Sequence, residues 1–363
     1  MKGRDGYLDL LRGFSLAIVV ASHLAFTVLK WHEDGPHTSS PMEFVPGLWI
    51  ITWVLQVMPL FFYIGGYGHA RSLERGGHPV TWVLKRLAGL LVPALALVAV
   101  WVVAGCLLAS GNDGETVYRV VKLVLSPLWF LGIYAGLIVA APLARRLHRR
   151  FGLWAPGAFI LGAVIADVIR FRFDLENAGY ANYAFVWLAA HQAGFSHERL
   201  RELGRGAALA VAGGGLGTLA LLVGVLGYPG AMVGVPGMKY SNMNPPTVAI
   251  LGLLTVQIGL MALLRPAAER WLAKPGPARM LGVANKYGLP VFLLHTTGAA
   301  VFSYAAYRVL GTAFTAETSD ASWWATRPVV LVGSLACTVL LIAALSRARG
   351  RGRGRGRSSI RSS

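Results

Sequence analysis

The 363-residue chain is 55% hydrophobic and only 14% charged, with 44 glycines, and its formal net charge is +18. A soluble protein of this length needs more polar residues to cover its surface than are present here. The apolar residues also come in long blocks and not in the short stripes of soluble helices, so the expected solvent is a bilayer. There, about 20 apolar residues cross the hydrocarbon as helix.

The fold class expected is an all-α polytopic membrane protein of about ten transmembrane helices. In chain order the blocks are about 8–30, 46–68, 82–109, 124–144, 152–169, 180–195, 206–228, 246–264, 287–309 and 327–346. The sixth is short and carries Asn182, His191 and Gln192, so it survives as a span only when packed against neighbours or tilted. No repeat of the kind that builds two-fold transporters is visible.

Basic residues orient the stack. With the N-terminus inside, most of the 34 Lys and Arg fall on the cytoplasmic side, including Arg71, Arg75, Lys85, Arg86, the Arg145–Arg150 cluster and the tail from Arg347. Glu33, Asp34, Asp113, Glu115, Glu317 and Asp320 fall on the other side. This positive-inside bias predicts both termini in the cytoplasm and a multi-pass protein of the cell membrane.

Lys2 and Arg4 ahead of an apolar stretch suggest a signal peptide. Asp9 and Arg12 interrupt its core, so an uncleaved first helix is expected. Residues 1–346 then form one transmembrane domain, and 347–363 a basic, disordered tail. Its Arg-Gly alternation invites a nucleic-acid reading, but it lacks aromatics and follows a span, so anionic lipid is the expected partner. Cys106 and Cys337 lie within spans and imply neither disulfide nor metal site. No phosphate-binding glycine loop, dinucleotide fingerprint or zinc pattern is present, and no metal is expected.

Polar residues at membrane depth are candidates for chemistry because lipid makes them expensive. Arg12 and His23 are eleven residues apart, almost three helical turns, which puts both on one face of the first helix about 16 Å apart. Each also has a structural reading: Arg12 snorkels to the inner headgroups, or His23 bonds a neighbouring helix. Phe61–Tyr67 ends the second block with glycines that allow close helix contact, and Pro127–Leu131 reads as an aromatic belt.

Together and in this order, these pieces resemble the acyltransferase-3 family of membrane O-acyltransferases. The resemblance rests on Tyr7-Leu8-Asp9-Leu10-Leu11-Arg12-Gly13 leading to His23, Phe61-Phe62-Tyr63-Ile64-Gly65-Gly66-Tyr67, Lys85-Arg86-Leu87 before Pro93, and Leu128-Trp129-Phe130-Leu131. Asn182-Tyr183 through Trp187 to His191-Gln192, Ser241 to Pro246, and Pro290 to His295 are similar to its stand-alone bacterial branch.

The resemblance implies transfer of an acyl group, often acetyl, from cytoplasmic acyl-CoA to a hydroxyl of a carbohydrate, glycolipid or small natural product. It implies Arg12 and His23 as the functional pair, and Arg86 as one of two basic residues at the inner start of the third helix. Gly89 stands where the second is expected, leaving Lys85 to compensate. No periplasmic hydrolase-like domain is expected on the chain.

Physically, Arg71, Arg75, Lys85 and Arg86 suit CoA phosphates. The pantetheine arm would run beside the first helix toward His23, where a neutral imidazole can take the hydroxyl proton. A carboxylate would help hold the ring. Asp167 is the candidate, although Arg170 offers it an ion pair. His295 is a second candidate histidine, and His191 is expected to be structural. A secondary or polyprenol-linked sugar transporter would line its path with Arg12, His23 and Asp167 and need no acyl-CoA. A scaffold acting through its basic tail would not depend on His23.

Overall fold

The computed structural model describes residues 5–26, 28–32, 35–43, 45–109, 114–235, 238–310 and 321–359, with side chains outside 28–39, 43, 321–322 and 348–359. Among the described residues, the regular structure is helical apart from one short hairpin. In order, the elements are α1 (Gly6–Phe26), the antiparallel pair β1 (Val28–His32) and β2 (Gly35–Ser39), α2 (Thr52–Leu55), α3 (Met58–Glu74), α4 (Pro79–Ala109), α5 (Gly114–Leu125) and α6 (Trp129–Phe151). There follow α7 (Trp154–Arg172), α8 (Asn182–Phe195), α9 (His197–Leu200), α10 (Arg205–Gly224), α11 (Val248–Leu272), α12 (Pro275–Leu310) and α13 (Ala321–Ser359).

Among the described residues, nine helical stretches are long and apolar enough to cross a membrane. The sixth expected block is the difference. It forms α8, whose 14 residues rise only about 21 Å, short of the roughly 30 Å hydrocarbon core. Asn182, Trp187, His191 and Gln192 on it are fully buried. The polar residues that weaken the block as a span are thus covered by protein and not by lipid.

The second block is broken at Gln56, between α2 and α3, where Pro59 sits in the first turn of α3 and needs no backbone partner for its missing N–H. Gln56 bridges the break: its Oε1 accepts the Met58 N–H at 3.1 Å and its Nε2 donates to the Met232 carbonyl at 2.7 Å. The last apolar window, Trp323–Arg347, ends where the Arg-Gly run begins, although α13 continues to Ser359 and 360–363 lie outside the described residues.

The chain divides into two compact units. The first comprises Met1–Val19, Val45–Leu95 and Leu128–Asn285. Its core is Phe62, Tyr63 and Trp187, all fully buried, and it is tight because α3 and α8 meet backbone to backbone. A Cβ on Gly66 would strike the His191 carbonyl, and one on Gly194 would strike that of Tyr63. The close contact read from the Phe61–Tyr67 glycines is therefore present. Phe130 packs on Phe61 and Phe62 while Trp129 is exposed, so only part of the Pro127–Leu131 segment has the character of a belt.

The second unit comprises Val20–Phe44, Ala96–Pro127 and Lys286–Ser363. Within it α12 is tied to its neighbours by polar pairs. Trp101 Nε1 donates to Thr297 Oγ1 at 3.0 Å, and Thr296 Oγ1 donates to the Val124 carbonyl at 2.9 Å.

Candidate functional site

In the second unit, His23 near the end of α1 meets His295 in the middle of α12. His23 Nδ1 lies 2.9 Å from His295 Nε2, and the rings stack with centroids 5.2 Å apart and planes 16° apart. His295 is fully buried, and its Nδ1 lies 2.6 Å from the Phe292 carbonyl, one turn back on its own helix. The flanking anchors at Thr296 and Thr297 hold this stretch of α12. The two candidate histidines, 272 positions apart, form one hydrogen-bonded pair.

In the first unit, α1 starts cleanly because Asp5 Oδ1 accepts the N–H groups of Tyr7 and Leu8 at 3.0 and 3.2 Å. Two turns on, Arg12 Nη2 donates to Asn285 Oδ1 of α12 at 2.5 Å and lies 3.2 Å from Asp9 Oδ1. Arg12 is thus held by Asn285, a residue the sequence reading missed. Its signal was faint: the apolar block was begun at 287, whereas α12 starts twelve residues earlier, at Pro275.

Asp167 is engaged elsewhere. Its Oδ1 accepts from Asn182 Nδ2 at 2.7 Å, and its Oδ2 from the Val248 N–H at 2.8 Å and the Tyr228 hydroxyl at 3.1 Å. The carboxylate therefore cross-links α7, α8 and the start of α11. Burial and then the Asp167 charge push the Tyr228 phenol up from its ordinary value. Arg170 stacks on Phe171 and Tyr240, 4.9 and 5.6 Å from the ring centres, with Nε and Nη1 buried and lacking hydrogen-bond partners. The partner reaching the His23 ring is His295, in the place the sequence reading offered to Asp167.

Of the basic residues expected to meet a donor, Arg86 projects from α4. Its Nη2 donates to Ser72 Oγ at 2.9 Å, and it lies over the Trp82 ring. Lys85 and Arg75 are exposed, and Arg71 sits 3.7 Å from Glu74. A Cβ at Gly89 would meet open space, so packing does not demand the glycine there.

Arg71 also lines a cleft of about 460 Å³ with Tyr67, Glu198, Arg201 and Arg265. Its floor is an ion-paired cluster. Arg265 binds Asp5 and, at 2.8 Å, Glu269, while His197 is fully buried 2.8 Å from the Tyr63 hydroxyl and 3.7 Å from Asp5. Burial alone would raise the Asp5 carboxyl, but His197, Arg265 and the Leu8 N–H outweigh it and hold it well below the usual carboxylate range. His191, the third histidine of the sequence reading, is buried with its Nε2 3.0 Å from His69 Nδ1.

Compared with known families, residues 5–343 match the acyltransferase-3 family, described as an acyltransferase domain. No curated protein and no solved structure matches the chain. A match over nearly the whole length, on a chain of apolar helices with a buried polar centre, settles the class: this is a multi-pass membrane protein, and it belongs to the acyltransferase-3 family.

Proposed function

We propose that the protein is an O-acyltransferase of the cell membrane. It moves an acyl group, acetyl in the simplest case, from cytoplasmic acyl-CoA to a hydroxyl of a carbohydrate, glycolipid or small natural product. The observation carrying this reading is the His23–His295 pair, an imidazole held by a second imidazole inside a family of acyltransferases.

In the proposed reaction the acceptor hydroxyl attacks the thioester carbonyl while His23 takes its proton. The tetrahedral adduct collapses, the C–S bond breaks, and the imidazolium returns the proton to the departing thiolate. No net charge leaves the site. Arg12 lies on the donor side, since α1 carries it about three turns before His23. Arg86, with Lys85 beside it, takes a CoA phosphate, because a guanidinium matches phosphate oxygens with paired donors. Arg86 spends one such donor on Ser72, which fixes its direction.

Incubating membranes that contain the protein with radiolabelled acetyl-CoA and a panel of hydroxyl acceptors tests the reading. It expects label on an acceptor and release of free CoA thiol. Arg86→Ala should raise the apparent donor constant about tenfold or more, corresponding to about 1.5–3 kcal/mol for a charge-assisted contact, with little change in acceptor dependence. Solute movement with no acyl-CoA consumption would sink the assignment.

A further inference from the structure

The second unit contains two rings whose protons can be placed from their partners. A backbone carbonyl can only accept, so His295 Nδ1, 2.6 Å from the Phe292 oxygen, must carry a hydrogen. In the neutral ring Nε2 is then bare, and it faces His23 Nδ1 at 2.9 Å. His23 must therefore donate from Nδ1, which leaves its own Nε2 as the nitrogen with a free lone pair.

We infer that His295 is a positioning residue that fixes His23 in the tautomer whose Nε2 accepts the acceptor-hydroxyl proton. This rests on the reading of His23 as the base and adds which nitrogen acts and what holds it. The carbonyl, His295 and His23 form a relay in which each member orients the next. When His23 takes a proton at Nε2, its Nδ1–H bond to His295 becomes charge-assisted, which stabilises the imidazolium.

A carboxylate would do this more strongly but would place a net charge at membrane depth, where charge is expensive. A neutral imidazole avoids that cost. Phe292 packs on the His295 ring, and the next two residues of α12, Thr296 and Thr297, bond the Val124 carbonyl of α5 and Trp101 of α4. None of these carries a charge, and the titratable group acting on His23 is His295 itself. Protonating His295 at Nε2 would set two N–H groups against each other and break the relay, so the device works only with His295 neutral.

Three substitutions at His295 separate this role from packing. Glutamine can present an acceptor oxygen where Nε2 stood, asparagine is too short, and leucine fills the volume with no acceptor. In purified protein in detergent, His295→Gln should retain turnover within about tenfold of the parent. His295→Asn and His295→Leu should lose about 10²–10⁴-fold in kcat, the range of a misdirected base, with the donor KM little changed. The acid limb of the rate profile should move in His295→Leu, because His23 then titrates without its partner.

Nitrogen-15 NMR of histidine-labelled parent protein, with the His23 signals identified by their loss in His23→Gln, should show His23 protonated at Nδ1 and bare at Nε2. This reading needs no His295 variant to fold. Protonation at Nε2 in the parent would overturn the inference, as would His295→Leu with parental turnover and pH profile. If His23→Gln is inactive while His295→Leu is fully active, the base assignment stands and the positioning role falls. If His23→Gln is itself active, both fall.

Discussion

At the scale of single residues, Arg12 does two jobs through one nitrogen. Its Nη2 meets both Asp9 and Asn285, which pins the guanidinium between α1 and the first half of α12. Those contacts engage Nη2, so Nη1 and Nε are the donors to offer a ligand. Arg12→Lys keeps the charge but loses the planar fork and should retain more activity than Arg12→Ala, which also removes the donor to Asn285 Oδ1. The expected loss for the alanine variant is about 10–100-fold in kcat/KM, equal to about 1.5–3 kcal/mol for a charge-assisted contact. Equal activity of the two variants would mean that Arg12 serves only to hold the helix.

His23, Arg12, Asp167 and His295 were all visible as polar residues in apolar blocks, because expense at depth is a local property of sequence. Their pairing was not visible. His23 and His295 are joined across 272 positions and Arg12 and Asn285 across 273, and no local spacing encodes contacts of that range. For Asp167 the sequence offers a role beside the histidine or a pair with Arg170, and the partners that occupy it are out of local range: Tyr228 and the Val248 N–H come from 61 and 81 positions away.

At the scale of elements, hydropathy finds spans and misses what makes a helix longer or shorter than its span. α12 extends twelve residues before its apolar block, through Arg279, Asn285 and Lys286: Pro275 and Pro277 fall in its first turn, where a missing N–H costs no helical bond, and Gly282 is carried inside the helix. α8 is short but buried, so its polar residues are satisfied by protein. Of the α3 glycines, Gly65 and Gly66 make the close contacts that small residues allow, with Tyr134 and the His191 carbonyl, whereas Gly68 meets open space.

The start of α1 is fixed by Asp5, whose carboxylate caps the helix and pairs with Arg265 of α11 beside His197 of α9. The folded-state value of Asp5 is depressed, so its contribution to stability is complete above the unfolded value of about 3.9 and is lost as pH falls through the lower folded one. Asp5→Asn should unfold at a lower temperature in detergent at neutral pH, with a deficit of about 2 kcal/mol for a charge-assisted contact. The gap from the parent should stay constant above about pH 5 and close below about pH 4. A gap that does not narrow on acidification would place the stabilising charge elsewhere, for instance on Glu269.

At the scale of the whole molecule, orientation follows from the basic residues and the parity of crossings. We propose both ends in the cytoplasm, which requires α8 to complete a crossing together with the residues that flank it. Membrane-impermeant thiol labelling of single cysteines introduced at 40, 147 and 229, in a background lacking Cys106 and Cys337, should mark 40 and 229 from outside and 147 only after permeabilisation. Truncation after Ser346 should leave turnover in detergent within about twofold, since nothing in the Arg-Gly run can activate a hydroxyl. External labelling of a cysteine placed in the tail would contradict this orientation.

The proposed function turns on His23 as the base of an acyl transfer. Glutamine fills much of the space of histidine and keeps a polar amide where Nε2 stood, yet it cannot cycle a proton. The decisive measurement is the rate of label transfer from acetyl-CoA to an accepted hydroxyl by purified His23→Gln, at a thermal midpoint matched to the parent. A fall of about 10²–10⁴-fold with donor binding retained is expected. Transfer at near the parental rate would contradict that role.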